Sequence, residues 1–322
     1  MVANLLVHES QFPENVRRDL LESLRSHAVN HKFHYDSIKQ TQKWLALHQQ
    51  FSPTRNEADC RIIYEQSFRV AAAKIKSKRV NVIGLGCGGG QKDTRLLKLL
   101  KASGKQIFYT PSDVSAAMAL TARQTALAVL PDTNCFPFVC DLATAGNLAK
   151  VIPTASRASR LMTFFGMIPN FEPADILPRL AALVRPADSL LFSANLAPGK
   201  DYAAGIKRIL PQYDNELTRD WLMAFLFDLG VEKSDGELRF EIETTRNGLK
   251  RIVANFHFHR SRRIKVESET FHFTKGAKIR LFFSYRYTPA LLQKFLRRHK
   301  LDVRQYWIAK SEEEGVFFCK RK

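Results

Sequence analysis

The chain has 322 residues, 45% hydrophobic and 25% charged, which is the balance of a globular protein with one large domain or one and a half. No apolar run reaches membrane-span length and Met1–Leu21 lacks a signal-peptide pattern, so no membrane partner and a cytoplasmic setting are expected. The net charge of +19 could mean nucleic acid, an anionic surface or an acidic substrate. The lysines and arginines are spread along the chain, densest at Arg260–Lys265 and Arg297–Lys300, with no aromatic-interleaved RNA-binding motif, so a generally basic surface without a specific partner is expected. Five scattered cysteines fit a reduced setting without a disulfide framework.

Pro13 to Ser26 carries Val16, Leu20, Leu21 and Leu24 on one face, which predicts an amphipathic helix. His31 to Cys60 is mostly polar with scattered aromatics. Within it, Pro53 followed by Thr54 to Glu57 reads as a capping box opening a second helix toward Ile75. About seventy-five residues thus precede the first core strand, too many for a tail, and they are expected to cover the active site.

Arg79 to Thr94 reads RVNVIGLGCGGGQKDT. Val80, Val82, Ile83 and Leu85 predict a buried parallel strand; Gly86 to Gly90 end it, and Leu96, Leu97, Leu99 and Leu100 follow at helical spacing. Strand, glycine turn and helix open a doubly wound nucleotide-binding sheet, where glycines let a ligand touch backbone. The loop departs from the dinucleotide fingerprint and lacks the Lys-Ser/Thr ending of a phosphate cradle. It suits a ligand without phosphates, of which S-adenosylmethionine (SAM) is the common one. Asp113 ends the next predicted strand roughly twenty residues on, the distance at which such folds hold a ribose. Ser115 follows as a helix N-cap, and Asp141 ends a third unit.

The alternation predicts strands at 80–86, 106–111, 136–140, 160–166 and 189–194, with helices at 92–103, 115–129 and 144–150. After Pro198 it breaks into a helical stretch, 201–229, and then into strand-like runs from Glu237 to Tyr287 that read as an insertion. Thr288–His299 returns to helix, and Val303–Trp307 with Gly315–Cys319 predict a closing hairpin.

Several ordered motifs resemble the histidine-specific SAM-dependent methyltransferases, the family of the ergothioneine-pathway enzyme that trimethylates the histidine α-amine. HYD at His34 to Asp36 resembles the family's FYD, and FSPTRNEA at Phe51 to Ala58 its YYPTRTEA. The glycine loop resembles a GSG-type loop followed by Lys and Thr, with Asp93 as an extra residue between Lys92 and Thr94. DVS at Asp113, GMIPNFEP at Gly166, YDNELT at Tyr213 and SYRYT at Ser284 complete the match, from about Lys32 to Lys320.

The resemblance implies an α/β fold: a Rossmann-like class I methyltransferase sheet with an inserted α+β substrate-binding domain and an N-terminal helical segment. The boundaries expected are 1–78 for that segment as part of a substrate lid, 79–197 for the SAM-binding core, 198–285 for the insertion and 286–322 for the closing elements. Gly86, Gly88 and Lys92 would contact the loop side and methionine part of SAM, Asp113 the ribose, and Asp141 with Leu142 the adenine. Asn170 and Tyr213 would hold the amino-acid carboxylate and amine, and Tyr35 and Ser284 would line the side-chain pocket.

Two departures from the family pattern matter. Ser52 stands where the family has a tyrosine before PTR, and Phe282 where it has the acid that grips imidazole. A buried imidazole left unpaired costs about 1–3 kcal/mol, so the pocket is expected to prefer a neutral or aromatic side chain over histidine. The reading is an N-methyltransferase for a small amino-acid-like amine. Histidine itself, or RNA or protein through the basic surface, are the alternatives. A monomer is expected, and no metal, since the pairs His31/His34 and His257/His259 each lack a third ligand.

Overall fold

The structure, a computed structural model, describes residues 3–52 and 57–322. Pro53, Thr54, Arg55 and Asn56, which carry the capping box and the centre of the FSPTRNEA motif, lie outside the described residues. The described chain divides into two compact units, one of residues 3–11, 57–196 and 287–322, the other of residues 12–52 and 197–286.

The first unit is built on an eight-stranded sheet. Its first six strands are β1 (Leu6–Val7), β2 (Arg79–Leu85), β3 (Gln106–Asp113), β4 (Phe138–Val139), β5 (Ser159–Phe164) and β6 (Ser189–Asn195). They run parallel in the order β1-β4-β3-β2-β5-β6. Every residue of β2 after Arg79 is buried, as expected of a strand covered on both faces. Val80, Val82, Leu96, Leu97, Leu100, Ile107, Tyr109 and Leu161 pack as one core. From β2 the chain first builds outward through β3 and β4, then returns to β2's other side with β5. The crevice beyond the carboxyl ends of β2 and β5 is therefore the topological switch point, where such sheets bind ligands.

After Leu196 the chain enters the second unit. Its helices are Pro13–Arg25, Ile38–Phe51, Tyr202–Ile209 and Glu216–Asp228. Its strands are β7 (Gly236–Thr244), β8 (Lys250–Phe258), β9 (Arg262–Val266), β10 (Glu269–Phe273) and β11 (Lys278–Arg286). They form an antiparallel β11-β8-β7 sheet and a β10-β9 ribbon. Leu24, Phe33, Trp221, Phe225, Phe256, Phe258 and Leu281 are among its core residues.

The chain re-enters the first unit at Tyr287, whose N–H donates to the Asn195 carbonyl at 3.1 Å. Exit and return are thus neighbours, as an insertion requires. Helix Pro289–Arg298 leads to β12 (Leu301–Ile308) and β13 (Glu314–Arg321), and β13 pairs antiparallel with both β12 and β6. The mixed α/β sheet with an antiparallel closing hairpin is as the sequence predicts.

Several elements differ from expectation. Ile38–Phe51 is a helix within the stretch read as polar; its buried Gln40 and Thr41 hide the apolar face that Trp44 and Leu47 present to the core. The stretch 201–229 is two helices, separated by a turn containing Pro211, which cannot donate within a helix, and by Asn215, whose Oδ1 caps the second helix at Thr218 N–H, 2.9 Å. Helix Pro173–Leu183 joins β5 to β6, and Leu6–Val7 adds a strand beside β4.

Candidate active site

The loops after the parallel strands share one edge of the first unit's sheet. Gly86, Gly88 and Gly90 follow β2 with φ of 63°, 51° and 73°, a left-handed backbone that glycine adopts without penalty. A Cβ on Gly86 would lie 2.6 Å from the Met167 side chain, so this turn closes against the loop after β5. A Cβ on Gly90 would lie 2.7 Å from the Ala122 Cα, so the helices Gln91–Ala102 and Ala116–Ala126 approach at that point.

Asp113, at the end of β3, is only 8% exposed. Its Oδ2 accepts from Gly88 N–H and its Oδ1 from Ser115 N–H, each at 3.0 Å. Burial lifts its pKa to about 6, against the lowering effect of the backbone N–H groups of Ser115, Gly88 and Val114. Asp141 and Leu142, after β4, are buried, and Asp141 Oδ1 accepts from Ala143 N–H at 2.8 Å. Asp141 N–H donates to Ser10 Oγ at 3.0 Å, so residues just after β1 brace this loop. No signal in the sequence pointed to that role for Ser10.

Lys92 and Asp93 open the helix after the glycines and point to different partners. Lys92 Nζ donates to Tyr64 Oη at 2.8 Å and lies 3.8 Å from Glu314 Oε1, to which Tyr64 itself donates. Asp93 is buried and accepts from Tyr109 Oη and Thr163 Oγ1, both at 2.7 Å. Burial raises its pKa, opposed by those two hydroxyls. A Cβ on Gly84 would lie 2.2 Å from Asp93 Oδ2, so the glycine in the strand makes room for the carboxylate. The residue that looked like an insertion in the motif is a tie between helix and sheet.

Asn170 also belongs to the first unit. It ends the turn Ile168–Asn170 after β5, and its N–H donates to the Met167 carbonyl at 3.0 Å.

The remaining expected substrate residues belong to the second unit, and four of them share one cluster. β11 carries a bulge between Arg280 and Phe282; beyond it the register is regular, so Phe282, Ser284 and Arg286 alternate onto one face. Tyr213 meets all three. Its ring centroid is 6.2 Å from that of Phe282, its hydroxyl 2.9 Å from Ser284 Oγ, and Arg286 donates to it at 2.8 Å. Trp221 bridges Phe282 to Tyr35, with ring centroids at 5.8 and 5.4 Å, and Trp44 packs on Tyr35 at 6.0 Å.

His34 fixes Tyr35 beside this strand. Its Nε2–H donates to the carbonyl of Leu281, the bulge residue, at 2.7 Å, and Trp221 Nε1–H donates to the His34 carbonyl at 2.7 Å. Burial pushes the His34 pKa down to about 4, so the ring is neutral at neutral pH. Ser52 is buried at the end of helix Ile38–Phe51, its N–H donating to the His48 carbonyl at 3.0 Å. Trp44, Trp221 and Arg286 escaped the sequence reading because each reaches the cluster only through tertiary packing.

Of the two densest basic groups, Arg260–Lys265 and Arg297–Lys300, the first is tied down in part. Arg260 and Arg262 both pair with Asp235, a fully buried carboxylate held below its usual pKa by the Glu232 N–H and these two arginines, although burial opposes this. Arg297 and Lys294 instead line an open groove of about 590 Å³ with Gln293 and Tyr306. Among the described residues no group of three His, Cys, Asp or Glu side chains is placed to hold a metal, and no helix is long and apolar enough to cross a membrane.

Residues 16–321 match the family described as histidine-specific methyltransferase, SAM-dependent, and the chain belongs to that family. It is similar to a histidine N-alpha-methyltransferase of Mycobacterium tuberculosis, at 25% identity over 94% of this chain and 92% of the relative. It is also similar to the N-methyltransferase imqF of Aspergillus flavus, at 27% identity over 73% of this chain; the match spans 65% of that relative's length. Among solved structures, a magnesium protoporphyrin IX methyltransferase from Synechocystis, crystallised with SAH, aligns with a TM-score of 0.46 and 14% identity, covering 90% of this chain and 97% of the other.

Proposed function

We propose that the protein methylates the amine of a small amino-acid-like substrate other than histidine, using SAM bound at the carboxyl edge of the first unit. The residues of that edge fit SAM. A buried carboxylate beside the glycines repels phosphate and suits ribose hydroxyls, and a loop with positive φ at Gly86 and Gly88 brings backbone close to a ligand. Asp113 would hold the ribose and Asp141 with Leu142 the adenine. Gly86 and Lys92 would face the methionine end; Lys92 has two ammonium protons beyond the one given to Tyr64.

When bound, SAM supplies an electrophilic sulfonium methyl group. The chain's own residues then have to hold an unprotonated amine in line with it, within about 3–3.5 Å. Asn170 and Tyr213 would clamp the substrate's carboxylate and amine, with oxygens that accept from the amine aiming its lone pair. No side chain is assigned as an obligatory base.

One observation carries the choice of substrate. Phe282 stands on the same strand face as Ser284, packed between Tyr213 and Trp221, where the resemblance expects an imidazole-gripping acid. Ser52 stands where the family has a tyrosine, and the shorter side chain would leave extra room beside the amine. The groove with Lys294, Arg297 and Tyr306 supports a second reading, a macromolecular anionic substrate, whose binding would weaken steeply with salt.

The test is incubation with labelled SAM and a panel of proteinogenic and aromatic amino acids, with mass detection of products. N-methylation of an aromatic or aliphatic amino acid in preference to histidine is expected. Efficient trimethylation of histidine, or methylation of RNA alone, would overturn the reading.

A further inference from the structure

The direction of the hydrogen bonds around Tyr213 is a property that its position alone does not reveal. Arg286 is 6% exposed and Ser284 2% exposed, so neither can trade partners freely with water. The Arg286 guanidinium lies over the Tyr213 ring, 5.3 Å from its centroid, and its Nη2 is 2.8 Å from the Tyr213 hydroxyl. On the hydroxyl's other side is Ser284 Oγ at 2.9 Å.

We propose that Arg286, Tyr213 and Ser284 form a one-way relay that makes Ser284 a hydrogen-bond donor to the substrate side chain, so that the pocket selects amino acids carrying an acceptor there. This rests on the reading that Ser284 lines the substrate pocket. A guanidinium has donors and no acceptor, so the Tyr213 oxygen must accept from it. A phenol accepting from a cation becomes a better donor and a poorer second acceptor, because hydrogen bonds in a chain polarise one another. Its single proton therefore goes to Ser284 Oγ. Ser284, having accepted, keeps its own proton to give. Reversing the order would leave the Tyr213 proton without its acceptor at a partly buried site, which costs more than it returns.

With Phe282 beside it, Ser284 offers one donor against an apolar wall. That combination suits a ring nitrogen, ether or hydroxyl oxygen on a flat side chain. A donor-only group such as an indole N–H finds no partner in Ser284. Neutral imidazole satisfies Ser284 with one nitrogen and leaves its N–H to be paired elsewhere.

The test uses the full chain with bound S-adenosylhomocysteine and three isosteric probes: phenylalanine, 3-pyridylalanine and 4-pyridylalanine. Calorimetry gives the preference for the better pyridyl probe over phenylalanine, and kcat and KM with labelled SAM give the same ratio in turnover. Ser284→Ala should lower the preference about three- to tenfold, the worth of one neutral hydrogen bond. Arg286→Gln, whose amide oxygen can take the Tyr213 proton and leave the Tyr213 oxygen to accept from Ser284, should lower it by a similar factor. Tyr213→Phe, which leaves the Ser284 proton no competing acceptor, and Arg286→Lys, still a donor-only cation, should largely retain it. The ratio is expected to move through KM, leaving kcat nearly alike for the two probes.

Arg286→Glu, an acceptor-only partner for the Tyr213 hydroxyl, carries the same test if Arg286→Gln does not fold. If Ser284→Ala removes the preference but Arg286→Gln and Arg286→Glu leave it intact, the relay is wrong and the pocket stands. If Ser284→Ala leaves the preference intact, or no probe binds, the pocket reading falls and the relay with it.

Discussion

The carboxyl edge of the sheet and the aromatic cluster of the second unit both bury polar groups, and they satisfy them by different means. Asp113 takes hydrogen bonds from the backbone N–H groups of Gly88 and Ser115, 25 and 2 residues away in sequence. In the second unit, side chains or their carbonyl partners meet across 71 residues for Tyr213 and Ser284, 187 for Trp221 and His34, and 247 for His34 and Leu281. Backbone donors are present whatever the side chains are, so the edge depends on glycine conformation and one acid. The cluster depends on the identity of every member. Changing one member alters the packing and hydrogen bonding there, whereas changing a glycine at the edge attacks the fold.

The sharpest way to expose that contrast is at the glycines themselves. Gly90→Ala combines a φ of 73° with a Cβ 2.7 Å from the Ala122 backbone, whereas Gly166→Ala has a φ of 70° and nothing within 4 Å. Left-handed strain costs about 1–2 kcal/mol, and overpacking adds about 1–3 kcal/mol. Gly90→Ala should therefore destabilise by about 2–5 kcal/mol and Gly166→Ala by about 1–2 kcal/mol in chemical denaturation. Equal losses would show that the helix–helix approach at Ala122 relaxes without cost.

Next in size is the effect of pH through Asp113. Its pKa is raised to about 6 by burial, so the fold favours the protonated form. Its stabilising contribution is complete below the ordinary carboxylate range and is lost as pH rises through about 6. In the ribose-binding role proposed for Asp113, the ionised form would bind the diol better, so SAM affinity should move the opposite way, falling about tenfold between pH 7 and pH 5. Calorimetry should find that profile flattened in Asp113→Asn, with binding at pH 7 weakened by about 1–3 kcal/mol. An unchanged profile in the variant would remove Asp113 from the ribose site.

How much of this was legible in sequence follows the same division. The βα units, the glycine loop and Asp113 were readable because each is a local pattern: a β-branched run, a turn residue, an acid at a strand end. Asp93 was misread as a surplus residue, since its partners Tyr109 and Thr163 lie on two other strands. Helix Ile38–Phe51 was hidden because it buries Gln40 and Thr41 while exposing Ile38. In the second unit the alternation of Phe282 and Ser284 was legible from period two alone. The bulge at Leu281 was not, although it lies just before the alternation and leaves it intact. Arg286 was passed over because nothing local marks an arginine whose partner is a tyrosine 73 residues earlier.

The smallest expected effect is the most informative about substrate, and it concerns Phe282. The ring fills space between Tyr213 and Trp221, so Phe282→Glu exchanges apolar packing for a half-buried carboxylate. That carboxylate is costly to bury alone, and an imidazole in the pocket would relieve the cost by pairing with it. Histidine should then gain relative to phenylalanine in kcat/KM by about three- to tenfold, a net hydrogen bond's worth after desolvation. Ser52→Tyr, restoring a hydroxyl beside the amine, should add to histidine turnover without changing the side-chain ratio, because it acts on the part common to all amino acids. Competition assays with both amino acids in one vessel measure the ratio directly. A Phe282→Glu variant whose ratio does not move, while Ser284→Ala does move it, would mean that the side chain sits nearer Ser284 than Phe282. The phenyl ring would then shape the pocket wall without choosing its occupant.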